Sequence, residues 1–193
     1  MKLDEITISR KLRRGIEATH SREDIDPSLR EQLKKSGWHF IDSGLFSQVY
    51  VKEGNPYVLK INTVPDNAFD KFVRYTHRVK SPYLPKIYDR KYFTKKGRTY
   101  YIYLIEKLEK CPVELSAAIY DATTSLKYHD EAGSVIQQYP GLEEIIVKLI
   151  NDASILGPDG IVDIGRGNVM LRPSDNMPVI IDPWAVLKDR YKH

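Results

Sequence analysis

The chain has 193 residues, 41% of them hydrophobic and 29% charged, enough for one domain or two small lobes around a real core. Its single cysteine, Cys111, excludes a disulfide framework and a cysteine-based zinc site, and a net charge of +4 is too mild to argue for nucleic acid. No apolar run approaches the ~18–20 residues that span a bilayer, and Met-Lys-Leu-Asp-Glu at the N-terminus is no signal peptide, so a reducing, cytoplasmic setting without membrane contact is expected.

Residues 1–36 are polar and read as an N-terminal helical extension. One short helix is expected from Ile8 to Ala18 and another from Pro27 to Ser36, with Asp26 as N-cap and Pro27 in the first turn. Arg10, Lys11, Arg13 and Arg14 form either a solvated helix face or a contact for an anion or partner. From Trp38 the texture changes. Trp38-His39-Phe40-Ile41 reads as a strand interrupted by Asp42-Ser43-Gly44, Gln48 to Val51 as a second, and Tyr57 to Ile61 as a third. Glu53-Gly54-Asn55-Pro56 is turn chemistry. Phe69, Phe72, Val73 and His77 mark one face of a helix from Asp66 to Val79, stopped by Ser81-Pro82. Two more strands, Ile87 to Phe93 and Thr99 to Ile105, flank a turn at Lys95-Lys96-Gly97.

Beyond Glu106, Pro112 to His129 is loosely helical and rich in tyrosine. Leu142 to Leu156 is a clear helix with Leu142, Ile145, Ile146, Leu149, Ile150 and Ile155 on one side. Gly157-Pro158-Asp159-Gly160 ends it. Val169-Met170-Leu171 and Val179-Ile180-Ile181 form a hairpin around Pro173-Ser174-Asp175-Asn176.

Four features carry chemistry. Ser43-Gly44-Leu45-Phe46-Ser47-Gln48-Val49 lies between two strands; Gly44 permits close backbone approach, and small Ser43 and Ser47 leave amides open to phosphate oxygens, although a plain hairpin turn has the same composition. Lys60, between Leu59 and Ile61, needs an anionic partner if it points inward and none if it faces solvent. Asp163-Ile164-Gly165-Arg166-Gly167-Asn168 supplies a carboxylate that can take a hydroxyl proton and an amide oxygen that can hold Mg²⁺; the same residues also make ordinary loops. Asp182 ends an apolar run, where a carboxylate is costly unless it pairs or binds metal. In this order the four are the parts for phosphoryl transfer from ATP: donors over the triphosphate, a cation on it, two oxygen ligands for Mg²⁺ and a carboxylate for the acceptor hydroxyl.

These residues resemble the protein-kinase-like fold. The resemblance implies an α+β, two-lobe architecture. The small lobe (37–105) would have a five-stranded antiparallel sheet plus a helix, and the truncated, mainly helical large lobe would cover 106–193. Within it, Gly44-Leu45-Phe46-Ser47-Gln48-Val49-Tyr50, Val58-Leu59-Lys60, Gly167-Asn168-Val169-Met170 and Ile181-Asp182-Pro183 look like the early serine/threonine kinases of short-tailed (T-seven-like) bacteriophages. That family implies transfer of the γ-phosphoryl of ATP to serine or threonine of bacterial host proteins, with Mg²⁺ as cofactor. Asp163 would be the catalytic carboxylate, Lys60 the phosphate lysine, and Asn168 and Asp182 the metal ligands. Ser43, Gly44, Ser47, Val49, Lys60, Glu106 and Leu108 would hold the nucleotide, the last two through a hinge after the gatekeeper Ile105.

Several positions depart from that pattern. Asp42 and Ser47 stand where loop glycines are usual, and no Glu occurs between Lys60 and Asp89, leaving Asp70 and then Asp66 as substitutes for the helix carboxylate. Ile161-Val162 replaces His-Arg before Asp163, and Pro183-Trp184 follows Asp182, with Trp184 expected to pack on a large-lobe helix. The 11 residues after Asp182 leave no room for an activation segment, so regulation through one is not expected. Arg166 either touches the transferred phosphate or faces solvent. The departures keep two alternatives open: a pseudokinase that binds and inhibits a host protein, and a small-molecule kinase. The 13 tyrosines read as packing rather than nucleic-acid stacking, and the histidines at 20, 39, 77, 129 and 193 have no metal-ligand spacing.

Overall fold

A computed structural model describes residues 27–44, 47–62, 66–95, 98–128, 130–131 and 133–186. In chain order its elements are α1 (Pro27–Lys35), β1 (Trp38–Ser43), β2 (Ser47–Lys52), β3 (Tyr57–Asn62), α2 (Asn67–Arg78), β4 (Ile87–Lys95), β5 (Arg98–Glu106), β6 (Glu109–Lys110), α3 (Val113–Lys127), α4 (Ser134–Gln137), α5 (Leu142–Asp152), β7 (Gly160–Val162), β8 (Val169–Arg172), β9 (Met177–Ile180) and β10 (Trp184–Val186). The helix expected from Ile8 to Ala18, with its basic cluster, lies outside the described residues, as do Lys96 and Gly97 of the expected turn. The architecture is α+β. Two compact units share the chain: the residues up to Asp66 with Lys86–Lys107, and Asn67–Pro85 with the chain from Leu108 on. The helix α2 thus groups with the second unit, although the strands before and after it belong to the first. No helix among the described residues is long and apolar enough to cross a membrane.

The first unit is built on a five-stranded antiparallel sheet of order β1-β2-β3-β5-β4. Strand alternation decides what each face carries. On β3, Leu59 and Ile61 point to one face; there they meet Tyr50, Ile102 and Leu104 from neighbouring strands. The helix α1 covers that face with Leu29 and Leu33, one turn apart, and Trp38 completes the cluster. Each leucine so buried contributes about 1.5–3 kcal/mol. The described part of the expected N-terminal extension is therefore built into the sheet's core. The first strand does not stop at Ile41 as expected. Its register shifts between Phe40 and Asp42, and the strand resumes through Ser43 opposite Gln48. This bulge absorbs the interruption and leaves Ile41 53% exposed on an edge strand, where a bulge blunts pairing with other chains.

The second unit packs α2, α3 and α5 with two small sheets, β10-β7 and β6-β8-β9. On α2, Phe69, Phe72, Val73 and Tyr75 are buried; on α5, Leu142, Ile145, Ile146 and Leu149 are. The expected hairpin forms between β8 and β9. The expected helix from Leu142 to Leu156 is α-helical only to Asp152 and then tightens into a 3-10 turn, Ala153–Leu156. Tightening from 3.6 to three residues per turn rotates the stripe. Ile155, expected on the buried side, is consequently 41% exposed. At Gly160 a Cβ would lie 2.6 Å from both Ala153 O and Leu156 Cβ, so only glycine lets the chain turn back into β7 this closely. The buried guanidinium of Arg172 donates to Pro82 O at 2.7 Å and Leu84 O at 3.3 Å, tying β8 to the segment after α2.

Candidate functional site

Lys60 sits mid-strand on β3, paired with Val49 of β2 and Tyr103 of β5. Its neighbours Leu59 and Ile61 are committed to the α1 face, so alternation puts Lys60 on the opposite face, half-buried beside Val49 and the fully buried Tyr103. Beyond it the Tyr101 and Tyr103 rings lie parallel, with centroids 6.2 Å apart.

The turn between β1 and β2 is tight. The Gly44 N–H donates to Ser47 O at 2.9 Å, and the Ser43 N–H to Asp42 Oδ1 at 2.8 Å. A Cβ on Gly44 would lie 3.2 Å from Ser47 Oγ. Leu45 and Phe46 lie outside the described residues.

At the far end of β5 the sequence pointed to backbone groups of Glu106 and Leu108. The structure adds a role for the Glu106 side chain. It is buried, and its Oε1 accepts the Lys86 N–H at 2.8 Å, while the Glu106 N–H donates to Lys86 O at 2.9 Å. The Lys107 N–H donates to Pro56 O at 2.9 Å, so this segment is pinned from both sides. Removing the carboxylate strands the Lys86 amide. Glu106→Ala is expected to cost about 1–3 kcal/mol in chemical denaturation; an unchanged midpoint would show that the bond contributes nothing. Leu108, half-buried, begins the chain's return to the second unit.

That unit gathers Asp163, Asn168 and Asp182. The 3-10 turn Arg166–Asn168 closes the loop after β7, and the Asn168 N–H donates to Gly165 O at 2.9 Å. The Asn168 Nδ2 donates to Asp163 O at 2.6 Å. A carbonyl can only accept, so this bond fixes which end of the amide faces the loop and turns Oδ1 the other way. Asp182 is bracketed by two backbone bonds to the same loop: the Ile181 N–H to Asn168 O at 2.9 Å, and the Asp163 N–H to Pro183 O at 2.6 Å. All three side chains are half-buried; Arg166 is exposed. Among the described residues no three His, Cys, Asp or Glu side chains form a metal-holding group. The loop instead offers carboxylate and amide oxygens, hard donors of the kind that share Mg²⁺ with substrate phosphates and water.

Behind this loop stands Trp184. It meets a helix of the second unit: its Nε1 donates to Leu149 O of α5 at 2.9 Å. It also packs edge-on against Phe72 and Tyr75 of α2, with centroids 5.9 and 5.0 Å away. Burial, reinforced by the Asp152 carboxylate, holds the Tyr75 phenol well above its ordinary pKa. Asp70, the expected substitute for a helix glutamate, is buried on α2, and its Oδ2 accepts Arg74 Nε at 2.9 Å one turn on. Sequence reasoning missed Arg172 and Lys127, whose partners are backbone carbonyls far along the chain and leave no local pattern. Burial raises the pKa of the Cys111 thiol, which makes it a poor nucleophile. No protein-family model matches the chain, and no curated protein matches it.

Proposed function

We propose that the chain is a small protein kinase of the phage type, with a two-lobe kinase-like fold, that transfers the γ-phosphoryl of ATP to serine or threonine hydroxyls. The observation that carries this reading is the loop pair around Asp163. The bond from Asn168 Nδ2 to Asp163 O frees an amide oxygen for a cation, and Asp182 is fixed beside the same loop by bonds on both of its sides. The first unit adds the strand lysine and the tight glycine turn, on a five-stranded antiparallel sheet.

The chemistry follows from these roles. Asp163 accepts the proton of the acceptor hydroxyl as its oxygen attacks the γ-phosphorus, and the bond to the ADP oxygen breaks. Asn168 Oδ1 and Asp182 would hold Mg²⁺, which supplies charge neutralisation on the phosphates. Lys60 steadies the phosphates, and the turn of Ser43, Gly44 and Ser47 covers them, the Ser43 and Gly44 amides exchanging their bonds to Asp42 Oδ1 and Ser47 O for phosphate oxygens. Val49 and the backbone at Glu106 and Leu108 take the adenine. The likeness to phage kinases directs the choice of acceptor to bacterial proteins of the host cytoplasm.

One observation favours a second reading. The carboxylate that stands nearest to the missing helix glutamate, Asp70, is engaged by Arg74, as suits a binding module that no longer catalyses. Incubation with γ-labelled ATP, Mg²⁺ and a bacterial lysate separates the two. Label on the chain or on lysate proteins, abolished by Lys60→Ala, supports the kinase. No transfer and no thermal shift with Mg-ATP overturns it, and a biological effect that survives Lys60→Ala supports the binding module.

A further inference from the structure

We propose that Lys127 is a positioning residue for Asp163, clamping from outside the peptide group that aims its carboxylate; the inference rests on the phosphotransferase reading above. One peptide unit joins Val162 to Asp163. Its N–H donates to Pro183 O at 2.6 Å, and its C=O accepts Lys127 Nζ at 3.2 Å. A planar unit held at both polar ends turns only if both bonds yield, and its orientation sets φ at Asp163 and with it the direction of Cβ. The next peptide is held as well, by Asn168 Nδ2 on Asp163 O. Asp163 is thus fixed from both sides, and Lys127 supplies a clamp that comes from α3.

The local sequence explains why the clamp comes from far away. Ile161 and Val162 give the approach to Asp163 no polar side chain of its own. The helix α3 buries Ser116, Ile119, Ala122 and Thr123, and Lys127 follows one turn beyond Thr123 on the same side, which brings it to β7. A lysine in a last helical turn is favourable for the helix dipole in any direction. The dipole does not require a bond to a carbonyl 35 residues away. Lys127 itself is exposed, so its removal leaves the packing of α3 intact.

The test compares Lys127→Met and Lys127→Arg with wild type in the full chain. It measures initial rates with γ-labelled ATP and Mg²⁺, the KM for ATP, thermal midpoints, and amide hydrogen exchange across residues 160–168. Misaiming a catalytic group by an ångström costs up to about a hundredfold, so Lys127→Met is expected to lower kcat by roughly ten- to a hundredfold at unchanged KM. Exchange at the Asp163 amide should quicken, the thermal midpoint should hold, and Lys127→Arg should restore both rate and protection. A Met variant with wild-type rate and exchange overturns the proposal. So does a loss that Arg does not rescue, or one that follows a lowered thermal midpoint. If wild type transfers no phosphate, the phosphotransferase reading falls, and exchange alone decides. Quickening confined to 160–168 and reversed by Arg keeps Lys127 as the clamp of this loop, and unchanged exchange removes it.

Discussion

Asp163→Asn is expected to slow phosphoryl transfer by about 10²–10⁴-fold, the range that a positioned general base supplies. The bonds from the Asp163 N–H to Pro183 O and from Asn168 Nδ2 to the Asp163 C=O use main-chain atoms that asparagine keeps. The side chain also keeps its size. Label transfer should fall, and a thermal midpoint measured alongside separates lost chemistry from a lost fold. A variant that transfers at the wild-type rate would remove Asp163 from the mechanism, whatever the fate of the metal ligands.

Trp184→Ala should destabilise the protein by about 3–5 kcal/mol, the cost of truncating a buried aromatic. Its indole fills the space between Phe72 and Tyr75 on α2 and reaches α5 through its N–H. The acceptor, Leu149 O, is one of the last four carbonyls of α5, which a helix cannot satisfy by itself. Alanine thus opens a cavity and leaves a buried acceptor unpaired. Against a typical total of about 5–15 kcal/mol the loss is large and should appear as a lowered urea midpoint. Trp184→Phe keeps an aromatic ring against α2 and loses the donor together with a smaller volume, so it should cost less than alanine, with about 1–3 kcal/mol of that from the lost bond. A shift below about 1 kcal/mol for alanine would mean that the pocket collapses around the gap.

Strong periodicity was readable. Leu59 and Ile61 announced β3, and the leucines and isoleucines of α5 announced a buried stripe. The candidate residues of the Asp163 loop were legible by type and spacing, and the structure adds the bonds that tie them to Asp182. What remained hidden depends on distant partners. Strands β7 and β10 have three residues each, too few for any period, and exist because Val162 meets Trp184 across the fold. Ile155 was misplaced because a 3.6-residue period was carried past the point where the backbone tightens. Glu106 was read for its backbone, since nothing near it in sequence predicts that its carboxylate caps an amide 20 residues earlier.

The division of the chain has a consequence for its synthesis. The helix α2 is made before β4 and β5, yet its buried face is completed by Trp184 at the other end of the second unit. At about 5–20 residues per second on the ribosome, Phe69, Phe72 and Tyr75 wait roughly 5–20 s for that indole to be made. During the same interval the sheet of the first unit can close as soon as Glu106 has emerged, since all of its strands and α1 precede that point. A nascent chain of this protein therefore carries a finished sheet and an unsheltered aromatic helix at the same time, and this greasy interval, more than the mature fold, is where chaperones would find it.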